Sequence, residues 1–214
     1  MTAHVITISR EYGSGGRTIG ELVAKELGYG FYDKVLIDLA AKKSGFAIDY
    51  IKNTEEQVTP NFLFNLAANG YYANTVFVND GLPASDSLFI LQTKIIQELA
   101  EKGPCVIVGR CADYVLRDHE NVLNVFIKAS MEERIKQIVR LNELDPMKAE
   151  ESIRKADKQR ATYYNYYATG NWGDVANYHL CLDTGVLGVD GAVELIRRAV
   201  ELRQDKAEED GIQW

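Results

Sequence analysis

The chain is short of what a disulfide, metal or membrane architecture needs. Its three cysteines, Cys105, Cys111 and Cys181, cannot all pair with one another and show no metal-ligand spacing. Each lies in or beside an apolar run, so buried reduced thiols are expected and catalytic thiol chemistry is not. No apolar run reaches the roughly 20 residues that span a bilayer, and no basic segment leads into an apolar signal region at the first residues. The expectation is a cytoplasmic protein with no membrane partner. Basic charge is also in deficit. With 24 Lys and Arg against 31 Asp and Glu, the net charge is −7 and the pI is near 5.1. Broad nucleic-acid binding, which needs a basic face, is therefore not expected. A small phosphorylated ligand is still compatible, because a few local arginines suffice for it. Internal repeats and low-complexity segments are absent.

What is present begins between His4 and Gly20. Val5, Ile6, Thr7 and Ile8 are strand formers in a run too short for a helix. Gly13-Ser14-Gly15-Gly16 follows, and then Ile19, Leu22, Val23 and Leu27 recur at helical spacing up to Gly28. A strand, a glycine loop and a helix in this order present backbone N–H groups and a positive helix end to phosphate. Against the template G-x-x-x-x-G-K-[ST], Gly16 takes the second glycine, Arg17 the lysine and Thr18 the hydroxyl position, while Glu11 replaces the first glycine. Thr18 could hold a magnesium ion that bridges phosphates. Arg17 keeps the positive charge with a different geometry. Two other readings stand beside this one. The loop can be a plain turn between strand and helix. Alternatively, Gly13 and Gly15 can open a dinucleotide fingerprint with Asp33 as its ribose-binding acid, although Thr18 then occupies the third glycine position.

Further strands are expected at Tyr29 to Asp33, Cys105 to Gly109, Val122 to Ile127 and Tyr178 to Asp183. Helices are expected from Lys34, from Ser85 to Lys102, after Ser130 and from Asp190 to Leu202. Ser130 and Glu133 form a capping box. The alternation predicts an α/β fold, three layers with a five-stranded parallel sheet, in a single domain. Asp33, Arg110 and Asp113 follow strands, at the edge where open α/β sheets bind ligands. An N-cap role for Asp33 and a surface pair for Arg110 and Asp113 are the alternatives. Residues 46–86 read as an aromatic insertion on the rim, either a substrate lid or a subunit contact that would make a homodimer. Residues 146–175 carry Arg154, Lys155, Lys158 and Arg160, then a tyrosine run, and read as a mobile anion-binding flap.

With these residues placed, the chain resembles the cytidylate kinase-like family of P-loop nucleoside-monophosphate kinases over roughly residues 5–200. The carriers, in order, are Ile8 to Thr18, Leu27 to Asp33, Val108 to Arg110, Ala129 to Arg134 and Leu182 to Thr184. The resemblance implies phosphoryl transfer from ATP with Mg2+ to a small-molecule nucleotide, CMP or dCMP. It implies that Gly13, Ser14, Gly15, Gly16, Arg17 and Thr18 hold the donor phosphates, with Thr18 on the metal. Asp33 and Arg110 would lie on the acceptor side, with Asp113 standing in for an acid the family carries. Arg134 would lie by the donor base or lid. Arg154, Lys158 and Arg160 would form the lid, and Arg17, Lys158 and Arg160 would act on the transferring group. Cytidylate kinases proper carry Lys at the Arg17 position and Gly-Arg-Asp where this chain has Gly109-Arg-Cys111. A nucleotide-binding sensor or partner-binding module without turnover, and a kinase of a non-nucleotide alcohol, are the alternative functions.

Overall fold

The computed structural model describes residues 5–35, 37–38 and 84–209. The apolar runs become five parallel strands: β1 (Val5–Arg10), β2 (Gly30–Tyr32), β3 (Cys105–Val108), β4 (Val122–Lys128) and β5 (Leu180–Asp183). Their order across the sheet is β2-β3-β1-β4-β5. Around them, among the described residues, lie the helices α1 (Gly16–Leu27), α2 (Ala84–Lys102), α3 (Ala112–Val115), α4 (Met131–Asn142), α5 (Pro146–Tyr167) and α6 (Thr184–Glu209).

Period-two alternation sorts the strand side chains into two cores. Ile6, Ile8, Val106 and Val108 pack with Ile19 and Val23 of α1 and with Val193 and Ile196 of α6. Val5, Cys105 and Ile107 pack on the other face with Ile96 and Ala100 of α2 and with Ala112 and Val115 of α3. Helices on both faces of a parallel sheet give three layers, as the alternation of elements requires. Burying each such side chain contributes about 1.5–3 kcal/mol, which sets the sheet as the rigid frame of the molecule.

The punctuation of the chain explains the element ends. Glu133 N–H donates to Ser130 Oγ at 3.3 Å, opening α4. Asp145 caps α5 by accepting from Met147 N–H at 2.9 Å, with Pro146 in the first turn. Two boundaries differ from expectation. β5 begins at Leu180 rather than Tyr178, because a 3-10 turn at Val175–Asn177 ends at Tyr178. The last helix begins at Thr184 and is broken by Gly188, whose φ of 69° and ψ of 176° are not helical. The buried-thiol expectation holds for Cys105 and Cys111 but not for Cys181, which is exposed on the edge strand. The insertion expected at 46–86 lies outside the described residues except for the start of α2.

The crossing pattern matters for function. β1 connects to β2 on one side, and β3 connects to β4 on the other side of β1. This reversal opens a crevice at the carboxyl ends of β1 and β3. In register, Ile8 is the last β1 residue paired with β3, opposite Val108, while Ser9 and Arg10 continue only against β4. Arg10 therefore stands free of β3 at the crevice.

Candidate active site

The glycine loop runs from Glu11 to Gly15 and opens α1. No side chain caps this helix, so its first N–H groups face the loop without an intrahelical partner. The loop itself is held from outside. Ser14, buried, donates from its hydroxyl to Glu11 O at 2.9 Å and to Ile127 O at 3.2 Å. Thr184 Oγ1 donates to Ser14 O at 2.9 Å. Glu11 Oε2 accepts from Ala129 N–H at 3.0 Å and lies 3.5 Å from Arg134 Nε. The acid at the first-glycine position thus ties β1 to the start of α4. Thr18, in the first turn of α1, is exposed.

Arg17 projects away from the loop mouth. Its Nε–H donates to Asp33 Oδ2 at 2.8 Å, its Nη1 lies 3.2 Å from Glu21 Oε2, and its guanidinium sits 5.8 Å from the Phe31 ring centroid. Asp33 also accepts from Val35 N–H at 3.0 Å through Oδ1, so the carboxylate serves the following helical turn and Arg17 together.

Beyond β3 the chain turns through three consecutive left-handed residues, Gly109, Arg110 and Cys111, with φ of 81°, 58° and 53°. For each of the two non-glycine residues this conformation costs about 1–2 kcal/mol. The turn aims Arg110 into the crevice, where its Nη2–H donates to Asp38 Oδ1 at 2.7 Å and its head lies 5.2 Å from the Tyr163 ring centroid. Gln92 joins this group, donating to Asp38 Oδ1 at 2.8 Å and accepting from Tyr163 O–H at 2.8 Å. Burial pushes the Cys111 thiol up to about 12. Asp113 turns inward rather than toward the crevice. It accepts from Tyr164 O–H at 2.7 Å, and burial holds its carboxyl above the ordinary range.

Helix α5 closes over both parts. Asp157 Oδ1 accepts from Tyr12 N–H at 2.7 Å, and Asp157 also pairs with the buried Arg134. Arg160 donates from Nη1 to Arg10 O at 2.8 Å and lies over the Tyr12 ring at 5.4 Å. Lys158 and Arg154 lie elsewhere on the helix. Lys158 lines a neighbouring groove with Lys155, Thr162 and Tyr166, which shares Gln159 and Tyr163 with the central cavity, and Arg154 is exposed and bonded to Glu150 at 2.7 Å.

Between these parts lies a cavity of about 490 Å3 lined by Arg10, Lys34, Arg110, Arg160, Tyr163 and Trp172, among others. Its lining brings several partly or fully buried cations close together. Arg10 is pushed down to about 9 by burial and then by Arg160 and Arg110, only partly opposed by Asp33 and Asp157. Lys34 and Arg160 are lowered too, in each case first by burial. Arg110 Nε is buried with no hydrogen-bond partner among the described residues. The structure brings Arg110 and Arg160 together with Arg10 and Lys34. Sequence reasoning passed over Arg10 and Lys34, although the criterion that singled out Asp33 and Arg110, a polar residue just beyond a strand, marks Arg10 as well.

Comparison with known proteins bears on this arrangement. The sequence profile described as cytidylate kinase-like family matches residues 5–186. The chain belongs to this family. As a cytidylate kinase-like protein it is a nucleotide kinase by class. It is similar to a protein from Archaeoglobus fulgidus named cytidylate kinase, at 28% identity over 95% of this chain and 98% of that one. Among solved structures, an uncharacterized protein from Eubacterium ventriosum matches at 26% identity and a TM-score of 0.71, covering 92% of this chain and 98% of that one. Shikimate kinase from Bacteroides thetaiotaomicron shares the fold at 16% identity and a TM-score of 0.51, over 92% of this chain and 98% of that one. Among the described residues no helix is long and apolar enough to cross a membrane.

Proposed function

We propose that the protein transfers the terminal phosphoryl group of ATP to a nucleoside monophosphate, CMP or dCMP, giving the diphosphate and ADP. The observation that carries this reading is an uncapped helix mouth following β1 and a cation-lined cavity that reaches Arg10 and Tyr12 at the end of the same strand, where α5 is fastened. Phosphoryl transfer needs positioning, charge neutralisation and exclusion of water more than covalent help from the protein. The loop amides from Gly13 to Thr18 would cradle the donor phosphates. Arg110, Arg160 and Lys34 would meet the acceptor, and Tyr163 and Trp172 line the same cavity. The name of the Archaeoglobus relative favours the cytosine nucleotides.

The residues fit a magnesium ion brought in with ATP. Among the described residues no group of three or more His, Cys, Asp or Glu side chains could hold a metal alone. The exposed Thr18 hydroxyl at the helix mouth is the ligand that the loop offers, with phosphate oxygens supplying others. Such an ion would neutralise phosphate charge. Helix α5 acts as the lid, with Asp157 and Arg160 as the residues that fasten it.

The reading is tested by calorimetry with a non-hydrolysable ATP analogue and a panel of monophosphates. Binding of CMP and dCMP ahead of AMP, UMP and GMP supports it. A chain that takes the ATP analogue and no monophosphate overturns it in favour of a nucleotide sensor.

A further inference from the structure

Arg10 belongs to no part of the loop template, yet its side chain spans both halves of the site. Its stem crosses the phosphate loop, where a Cβ added at Gly16 would lie 2.6 Å from Arg10 Cβ and 3.0 Å from Cγ. Its head lies on the left-handed turn after β3, where a Cβ added at Gly109 would collide with Nη1 and lie 3.3 Å from Cζ. Two glycines, 93 residues apart in sequence by subtraction of 16 from 109, are thus both shaped to one arginine. Any side chain at Gly109 would push the guanidinium out of its seat, and the φ of 81° there already disfavours one.

The head is placed among cations, beside Arg110 and Arg160. Arg110 has Asp38 as a partner, and Arg160 has Asp157 at 3.9 Å. Among the described residues no carboxylate lies within ion-pair distance of Arg10 or Lys34, though both line the cavity. Burying like-charged cations together is costly, and Asp33, Asp157 and Asp38 offset only part of that cost, so the arrangement favours an anion between them. A monophosphate, carrying close to two negative charges at neutral pH, supplies that anion, and a neutral alcohol does not.

We propose that Arg10 grips the phosphate that the acceptor already carries, so that the site selects monophosphates against their unphosphorylated counterparts. This deepens the proposed function and rests on its reading of the cavity as the acceptor side. The guanidinium fork matches two phosphate oxygens at once, which a lysine cannot do.

Calorimetry on the full chain tests it, using CMP, cytidine, ribose 5-phosphate and the ATP analogue against wild type, Arg10→Gln, Arg10→Lys and Gly109→Ala. Loss of a charge-assisted contact predicts that Arg10→Gln weakens CMP by about 30-fold, with the ATP analogue changed less than about 3-fold. Gly109→Ala gives the same pattern with the arginine still present, and Arg10→Lys restores part of the loss. If Arg10→Gln does not fold, the other two variants decide. Unchanged CMP affinity in the variants overturns the proposal, as does an equal loss for CMP and the ATP analogue. Should wild type bind ribose 5-phosphate but no nucleoside monophosphate, the nucleotide reading fails while Arg10 is judged on the sugar phosphate. Should wild type bind no monophosphate at all, both fall.

Discussion

Arg17 and Asp33 are joined by a 2.8 Å hydrogen bond from Nε–H to Oδ2, with Arg17 largely exposed and the Asp33 carboxylate buried. The residue at the template's lysine position is thereby parked on the acid at the end of β2 rather than on the loop. To reach a phosphate it must exchange this partner for the ligand. With the guanidinium largely in solvent, screening holds the pair to about 1 kcal/mol although the carboxylate is buried, so the exchange is cheap. We expect Arg17→Ala to lower kcat by about 100-fold or more through lost charge stabilisation in the transition state, with little change in Tm. A variant with unchanged kcat would remove Arg17 from the mechanism.

Asp157 holds α5 to the phosphate loop through Tyr12 N–H and through buried Arg134. Removing it leaves a buried guanidinium with only the more distant Glu11 as counter-charge. Asp157→Ala should cost about 3 kcal/mol, a fall in Tm of roughly 10 °C for a chain of this size. Arg154→Ala, three residues and nearly a turn away with its side chain exposed, should cost under about 0.5 kcal/mol. Thermal melts of the two variants check this, and equal losses would contradict the clasp.

Burial pushes the thiols of Cys105 and Cys111 up to about 12, and neither is accessible, whereas Cys181 is exposed. Thiolate is the reactive form, so iodoacetamide should label one cysteine per native chain from pH 7 to about pH 10. All three should react in guanidinium. Mass spectrometry showing native labelling at Cys111 would contradict the packing of the left-handed turn.

Asp113 is raised above its ordinary value of 3.8, first by burial, with the Tyr164 hydrogen bond partly opposing. The folded state therefore holds this proton more tightly than the unfolded chain. Stability from this group is gained as pH falls through the folded value and is absent at neutral pH. Asp113→Asn keeps an acceptor for Tyr164 without the charge. It should raise Tm at pH 7, by an amount that shrinks as the pH is lowered toward 4. A variant less stable than wild type at pH 7 would show that the carboxylate is needed in its ionised form.

Much of the frame was legible because its signals are local. The β1 run, the glycine loop, the Gly28 stop and the Ser130 cap each act within a few residues, and each appears where expected. Asp33 and Arg110 were singled out by the same kind of local signal, since both follow strands directly. The cavity was less legible because it is assembled from Arg10, Lys34, Gly109 and α5, segments far apart in sequence. The cationic stretch of α5 shows the limit most clearly. At 3.6 residues per turn, Lys158 and Arg160 point about 200° apart around the helix, so a shared charge sign does not make a shared face. Arg160 reaches Arg10 O at the end of β1, and Lys158 lines a neighbouring groove that meets the cavity at Gln159 and Tyr163. Asp113 is similar: its offset from Arg110 carries it to Tyr164, because the left-handed turn reverses the chain before it.

The central claim is that the helix mouth and the cationic cavity act on one phosphoryl group between them. Transfer of a labelled terminal phosphoryl group from ATP, with Mg2+ present and CMP, cytidine or no acceptor added, measures this directly. The account predicts labelled CDP with CMP, none with cytidine, and ADP formation that depends on the acceptor. Label passing only to water, or to cytidine as readily as to CMP, would contradict it.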